Sequence, residues 1–491
     1  MVAPHTHLAI SIESLSFTND MQWLVNSEHW ILSWIDMNVE HKMHSKHRLR
    51  RQVSIHGARV QSPYPFLPGL FSWSFAIGTD QKRKLQPVTS IIPDFRAATT
   101  AQIFPESPPS PVKGKKMICY FTNWAQYRNG EARFLPEDLN PNLCTHIHYA
   151  FAQISGRGTT LEPGQWNDES KRGMIGMYER VLQLKAHNPH LKVLLSVGGW
   201  GAGSKLFSKM AANRNSRRRF IRNVIRYLRY WGFDGFDIDW EYPGSRGGPP
   251  GDKRRFTLLL QEFRSTFETE SRARHVKRLF LSVAVAATSP YMDNGYDIRA
   301  VTNSVDYVCL MAYDFHGHWD GSTGHMTGLY APNESEGSDK THNVDYAVNF
   351  WLDAGCPRSK LILGLAAYGR SFTLEYEDDT GLGAPTRGAG APGPYTRESG
   401  ILALYEVCSS IWQGGDVIWL EQQEVPYFVR GKQWVAYEDL RSIDLKVQYI
   451  KENKLAGAML WDVSLDDFRG NHCQIGRFSL LMAINKAMGP I

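Results

Sequence analysis

Between Gly232 and Pro243 the chain reads Gly-Phe-Asp-Gly-Phe-Asp-Ile-Asp-Trp-Glu-Tyr-Pro, which sets Asp237, Asp239 and Glu241 at two-residue intervals. Successive side chains of a strand point to opposite faces, so the three carboxyl groups project from one face, about 6 to 7 Å apart per step. Like charges in a row raise the free energy of their ionised forms, and a chain tolerates this mainly where the resulting proton sharing is useful. A solvated acidic surface strand is the plain alternative. It does not fit Phe236, Ile238 and Trp240 in between, because a strand that is apolar on its other face is buried there. The acids are therefore expected to line an interior or a cleft.

Outward from this stretch the rhythm is regular. Apolar runs of strand length recur at 117–121, 146–152, 192–197, 233–239, 279–286, 305–311, 361–366 and 457–461, with helix-like stretches such as 216–230 and 254–271 between most of them. Strands alternating with helices imply parallel βαβ units, and eight of them predict an α/β fold, a closed (β/α)8 TIM barrel. From about 368 to 437 the chain is rich in Gly, Pro and aromatic residues. This reads as an α+β subdomain inserted between the seventh strand and the last. Active sites of such barrels form at the carboxyl ends of the strands, and Glu241 ends the fourth.

With 491 residues and 42% hydrophobic content the chain can bury a large core. Length alone suits several domains, or one barrel with additions. The net charge of +6 is small for this size; Arg217-Arg218-Arg219 reads as a solvated helix face and the basic stretch 46–51 as a flexible arm, so no nucleic-acid partner is expected. No apolar run approaches the roughly 20 residues that span a bilayer, so no membrane partner is expected either. The six cysteines form no C-x-x-C pair and no His-rich ligand spacing, which argues against a metal site. Residues 1–115 lack a sustained period and include the Pro-rich stretch 105–111, which reads as a linker behind a poorly structured extension. That extension also carries Arg48-Leu49-Arg50-Arg51, a tetrapeptide fitting a proprotein-convertase cleavage pattern. Residues 1–20 lack the basic start and continuous apolar core of a secretory signal, while Asn333-Glu334-Ser335 is a possible glycosylation acceptor.

Asp234-Gly-Phe-Asp-Ile-Asp-Trp-Glu241 resembles the D-x-x-D-x-D-x-E signature of the family-18 glycoside hydrolases. Further stretches resemble the secreted animal chitinases of that family in the expected order: Cys119 to Trp124, Tyr149 to Ala152, Ser196 to Trp200, Glu241 to Arg246, Met311 to Gly317, Tyr368 to Arg370 and Leu460-Trp461. The likeness covers about residues 116 to 490. It implies an endo-type, retaining hydrolase of chitin and chito-oligosaccharides that needs no cofactor, acts as a monomer and is extracellular. It also implies substrate-assisted catalysis, an exception to the two-carboxylate scheme of most glycosidases, in which the sugar's own N-acetyl oxygen attacks the anomeric carbon.

By that resemblance Glu241 is the proton donor and then the base, Asp239 orients the acetamido N–H, Asp237 shares a proton with Asp239, and Tyr313 hydrogen-bonds the acetamido carbonyl. Asp234 is out of phase with the other acids and reads as a structural residue at the turn into the strand. Trp124, Trp200, Trp319 and Trp461 are implied to line the polymer track, aromatic faces suiting the C–H faces of sugars, although tryptophans of a large barrel can equally be core. Asp314 is implied to contact the sugar, and Tyr120, Phe151, Tyr242, Met311, Tyr368 and Arg370 are further implied contacts. The resemblance also pairs Cys119 with Cys144 and Cys408 with Cys473, leaving Cys309 and Cys356 as buried thiols.

Three departures stand out: Gly201-Ala-Gly203 after Trp200 where relatives have a polar Asn, Asp462 after Trp461 where a small apolar residue is usual, and no Cys-rich chitin-binding module before Ile491. The rival readings are a chitin-binding lectin, which family members become when they lack the acid, and an endoglycosidase acting on N-glycan cores. The presence of Glu241 favours catalysis over the first, and the insertion with its aromatic residues favours linear polymers over the second.

Overall fold

The apolar runs become eight strands: β1 (Lys116–Thr122), β2 (His146–Ile154), β3 (Lys192–Gly198), β4 (Gly235–Asp239), β5 (Phe280–Ala286), β6 (Tyr307–Met311), β7 (Leu361–Ala366) and β8 (Gly457–Trp461). This computed structural model describes residues 114–333 and 337–489. The amino-terminal extension with its linker and basic tetrapeptide, and the last two residues of the sequon, lie outside the described residues.

All eight strands pair in parallel with their sequence neighbours. The circle closes where β1 meets β8, with Ile118 opposite Met459 and Cys119 opposite Leu460. Burial on both faces is why the strands read as near-continuous apolar runs, and β4 and β6 are buried along their whole length.

Outside the strands lie helices that run back from the carboxyl ends to the amino ends. Helix α1 (Arg214–Trp231) is started by Asn213, whose side chain accepts a hydrogen bond from the Ser216 N–H at 3.0 Å. It ends at Gly232, whose φ of 90° is the left-handed conformation that favours glycine after a helix. Helix α2 (Asp252–Arg274) follows β4 and packs beside α1, burying Phe256, Leu260, Phe263 and Phe267 toward the barrel. Asp234 sits at the turn from α1 into β4. It accepts from the Val193 N–H at 2.8 Å and pairs with Lys185 at 2.8 Å, so it ties a turn to a neighbouring strand and helix.

Two residues after β7 the chain leaves the barrel. An antiparallel sheet runs Thr386–Ala389, Tyr368–Leu374, Gln433–Ala436, Val425–Arg430, Asp416–Leu420, with Ile401–Ala403 also on Tyr368–Leu374 and helix Leu404–Trp412 alongside. This is the inserted α+β subdomain, and the main chain returns through a helix at Leu440–Glu452 to β8. Cys119 is bonded to Cys144 and Cys408 to Cys473, the second bridge joining the insertion to the segment after β8. Cys309 and Cys356 are buried free thiols. Among the described residues no helix is long and apolar enough to cross a membrane.

Candidate active site

Register brings the three acids to one place. Asp237 on β4 lies opposite Ser196 of β3 and Ser282 of β5, both pointing with it into the barrel. Asp237 is wholly buried, and its oxygens accept from the Tyr120 hydroxyl (2.8 Å), Ser196 Oγ (2.7 Å) and Ser282 Oγ (2.7 Å). Nδ1 of His148 is 3.3 Å from Oδ2, and that ring is held on its other side by the Tyr307 hydroxyl at 2.8 Å. Burial alone would raise the Asp237 pKa, but His148, Ser282 and Ser196 outweigh it and hold this carboxyl below its ordinary value.

Asp239, one step further out, is the opposite case. It is 3% exposed and its Oδ1 has no hydrogen-bond partner. Burial, then repulsion from Glu241, then repulsion from Asp237 push its pKa well above the ordinary carboxylate range. The two neighbours are thus pushed in opposite directions, Asp237 below and Asp239 above the ordinary carboxylate value. Hydroxyl donors favour the ionised form of Asp237, and after burial the neighbour that acts on Asp239 most is Glu241.

Glu241 lies just past the end of β4, 8% exposed. Burial raises its pKa to about 7; Tyr242 and Arg246 oppose the rise and Asp314 adds to it. Arg246 reaches back to donate to the Glu241 carbonyl at 3.1 Å and to the Trp200 carbonyl at 2.9 Å. Its guanidinium lies 3.4 Å from the centre of the Trp200 indole. The Trp200 ring is 60% exposed, so this stack is displayed on the surface at the acid's rim.

On the opposite side of the rim, β1, β2 and β8 supply an aromatic bank. Phe151 stacks on Trp461 with centroids 5.7 Å apart and on Trp124 at 6.0 Å, while Tyr120 touches Trp461 at 5.1 Å. Trp124 keeps 37% of its surface exposed and Trp461 is half-buried. Tyr120 belongs to both assemblies, with its ring in the bank and its hydroxyl on Asp237.

A third group comes from the loop after β6 and the first strand of the insertion. Met311 and Tyr313 are 9% exposed, and the Tyr313 hydroxyl lies 3.8 Å from Sδ of Met459. Burial, and after it the charges of Tyr368, Asp239, Asp314 and Glu241, raise the Tyr313 pKa, which sets that hydroxyl in the field of both acids. Asp314 is braced from the insertion: Arg370 Nε and Nη2 each donate to its carboxylate at 2.7 Å and the Tyr368 hydroxyl at 2.8 Å, while its side chain stays 34% exposed. Its φ of 59° swings the side chain across to the insertion. Arg370 then sits 5.1 Å from the Trp319 ring, which is 51% exposed. Tyr242 packs on Tyr291 at 4.5 Å and its side chain lies within reach of Glu241, whose charge raises the tyrosine's pKa after burial.

The departures also find places. Trp200–Ala202 is an exposed single turn. Asp462 is 1% exposed and accepts from the Ser464 N–H at 2.7 Å, so it faces inward rather than the aromatic bank. Among the described residues no group of three or more His, Cys, Asp or Glu is placed to hold a metal ion.

Sequence reasoning passed over Ser196, Ser282, His148, Tyr307 and Arg246 as functional partners. The serines were findable in principle, since each is an isolated polar residue at an inward position of an apolar strand. Nothing in the spacing announces that Arg246 folds back over Trp200.

Residues 116–466 match the glycosyl hydrolases family 18, and the chain belongs to that family. Mouse chitotriosidase-1 is 43% identical over 373 residues, 76% of this chain and 78% of that protein. The solved structure of an immunomodulatory active chitinase from Trichuris suis superposes with a TM-score of 0.73 at 38% identity, covering 76% of this chain and all of that one. Human YKL-39, described as a pseudo-chitinase with retained chitooligosaccharide binding, superposes with a TM-score of 0.72 at 37% identity and covers the same shares.

Proposed function

We propose that the chain is an active, endo-acting chitinase that cleaves β-1,4 linkages of N-acetylglucosamine polymers with retention of configuration. The observation that carries this reading is Glu241, whose burial keeps its proton near neutral pH at the rim of the barrel. A family member whose acid is in place has what a binding protein such as a pseudo-chitinase does not need.

In the proposed reaction the Glu241 carboxylic acid gives its proton to the glycosidic oxygen as the bond to the anomeric carbon breaks. The electron pair that replaces it comes from the substrate's own acetamido oxygen, which forms a cyclic oxazolinium ion. Asp239 has an unpartnered oxygen beside Glu241, the acceptor available to the acetamido N–H, and the Tyr313 hydroxyl is the donor available to the acetamido oxygen. With Asp237 already anionic, the N–H is held against a polarised pair of carboxyls. Water then attacks the same face that the leaving sugar occupied, Glu241 takes its proton, and the product keeps the β configuration. Trp124, Phe151 and Trp461 on one side and Trp200 and Trp319 on the others would carry successive sugars. Asp314 and Arg370 act in this scheme by fixing Tyr368 and Trp319, with the part-exposed Asp314 carboxylate as a further sugar contact. The two disulfides favour an oxidising, extracellular compartment.

The test is digestion of N-acetylated chitohexaose with the products followed by proton NMR. Initial release of β-anomers at internal bonds is the expected outcome. Release of α-anomers would overturn the mechanism, and binding without any release would leave the chain in the company of the pseudo-chitinases.

A further inference from the structure

Helix α1 carries seven arginines (Arg214, Arg217, Arg218, Arg219, Arg222, Arg226 and Arg229) and no acidic residue. The neighbouring helix α2 offers two carboxylates to this surface, and both are taken by the inward-leaning members: Glu262 pairs with Arg217 at 2.6 Å and Glu270 with Arg229 at 2.7 Å. Arg218, Arg219, Arg222 and Arg226 are left on the exposed face. Among the described residues the first three have no hydrogen-bond or ion-pair partner, and Arg226 donates only to Asn223.

This arrangement works against the helix that bears it. Like charges at i and i+4, such as Arg218 with Arg222 and Arg222 with Arg226, cost about 0.2 to 0.5 kcal/mol each. Cations near the helix start also oppose the macrodipole, and the first turn of α1 holds no acid to offset them. An alternation of Arg with Glu would have kept the face solvated at no such cost. The row extends about 12 Å along the helix at about 6 Å per i to i+4 step, a linear array of forked donors suited to repeated anionic groups on an extended chain.

We propose that the outer face of α1, built from Arg218, Arg219, Arg222 and Arg226, docks a linear sulfated polysaccharide. Charge complementarity selects a polyanion, and the two disulfides select the compartment, where anionic polymers are sulfated or carboxylated glycans rather than nucleic acids. No exposed aromatic row accompanies the arginines to stack bases, Tyr230 standing alone at the far end of the helix. The face lies on the flank of the barrel, away from the carboxyl-end rim that bears Glu241, so docking leaves the candidate cleft open and would tether the protein to a matrix.

The test is fluorescence anisotropy of the full chain with a labelled heparin octasaccharide at 0.05 to 0.5 M salt, beside a 20-base-pair DNA duplex of matched label. Wild-type protein should bind the octasaccharide with an affinity that falls steeply as salt rises, and Arg218→Glu/Arg222→Glu should weaken it by about tenfold or more at low salt through lost counterion release. The substitutions put anions toward the helix start, where the dipole favours them, so the variant should melt no earlier than wild type and bind chitohexaose unchanged. Equal octasaccharide binding by the variant, no binding by wild type, or tighter binding of the duplex than of the octasaccharide would each overturn the proposal.

Discussion

Arg246 lies face to face with Trp200 at 3.4 Å and at the same time donates to the main-chain carbonyl of Glu241 at 3.1 Å. One cation thus joins an exposed aromatic surface to the peptide that carries the acid. Its charge also favours the ionised form of Glu241. Replacing Arg246 with Ala should therefore raise the Glu241 pKa and carry the alkaline limb of the kcat profile to higher pH, while the loss of a stacked cation worth about 1 kcal/mol leaves Trp200 unanchored and raises KM several-fold. A pH series of kcat and KM with chitohexaose measures both effects. A merely structural role would lower activity without moving the limb.

Glu241→Gln keeps the shape of the acid and removes its transferable proton. Turnover of chitohexaose should fall by about 10² to 10⁴, the usual contribution of general acid–base catalysis, and calorimetric affinity for the same oligosaccharide should stay within a few-fold of wild type. Undiminished turnover would remove Glu241 from the reaction.

The acids also set the pH dependence of stability, and they act in opposite directions. Glu241 and Asp239 have folded-state pKa values above those of the unfolded chain, so their contribution is fully present in acid and is lost as pH rises through the folded values, for Glu241 through about 7. Asp237 is depressed, so its contribution is present above the unfolded carboxylate value and is lost as pH falls below it. The melting temperature of wild type should accordingly drop relative to that of Glu241→Gln, which has nothing to ionise at that position, as pH rises from about 4.5 to about 7, and level off above. Parallel melting curves for the two proteins across this window would contradict the raised value.

Ser196→Ala and Ser282→Ala each strip one donor from a fully buried carboxylate. Each should cost about 1.5 to 3 kcal/mol in urea unfolding, as hydrogen bonds to charged groups do. Asp237 will then titrate closer to neutrality, and the acid limb of activity should shift upward with it. The double variant should exceed the sum of the singles, because the second loss leaves Tyr120 as the remaining hydroxyl on that carboxylate.

Opening Cys408–Cys473 by Cys473→Ser releases a loop of 65 residues. The chain-entropy account gives about 4 kcal/mol for a loop of that order, and the loss should appear first as protease sensitivity within Thr386–Ala436. Cys309→Ser, at a free buried thiol, should bring no comparable sensitivity.

The barrel was legible because strands buried on both faces cannot carry polar residues freely, so apolar runs and their spacing report them directly. Boundaries moved by one or two residues: β4 begins at Gly235 and not at Phe233, since Phe233 and Asp234 form the turn after α1. The acids were legible for the same reason, three polar interruptions with period two. What spacing does not encode is partnership across the fold. The resemblance makes Asp314 a sugar contact, and spacing gives no sign that two partners 54 and 56 residues away also make it a brace for the insertion. Proton sharing between Asp237 and Asp239 followed from their nearness along β4. Spacing does not show that β1, β3 and β5 each deliver a hydroxyl to Asp237, a coincidence of register among strands far apart in sequence.

The aromatic bank of Trp124, Phe151 and Trp461 is assembled from the first two strands and the last one. During synthesis the carboxylates leave the ribosome more than two hundred residues before Trp461 does, so a growing chain possesses its acid long before the last member of the bank. The bank is complete only when β8 slots between β7 and β1, and a product terminated upstream of that strand lacks both Trp461 and the closing strand.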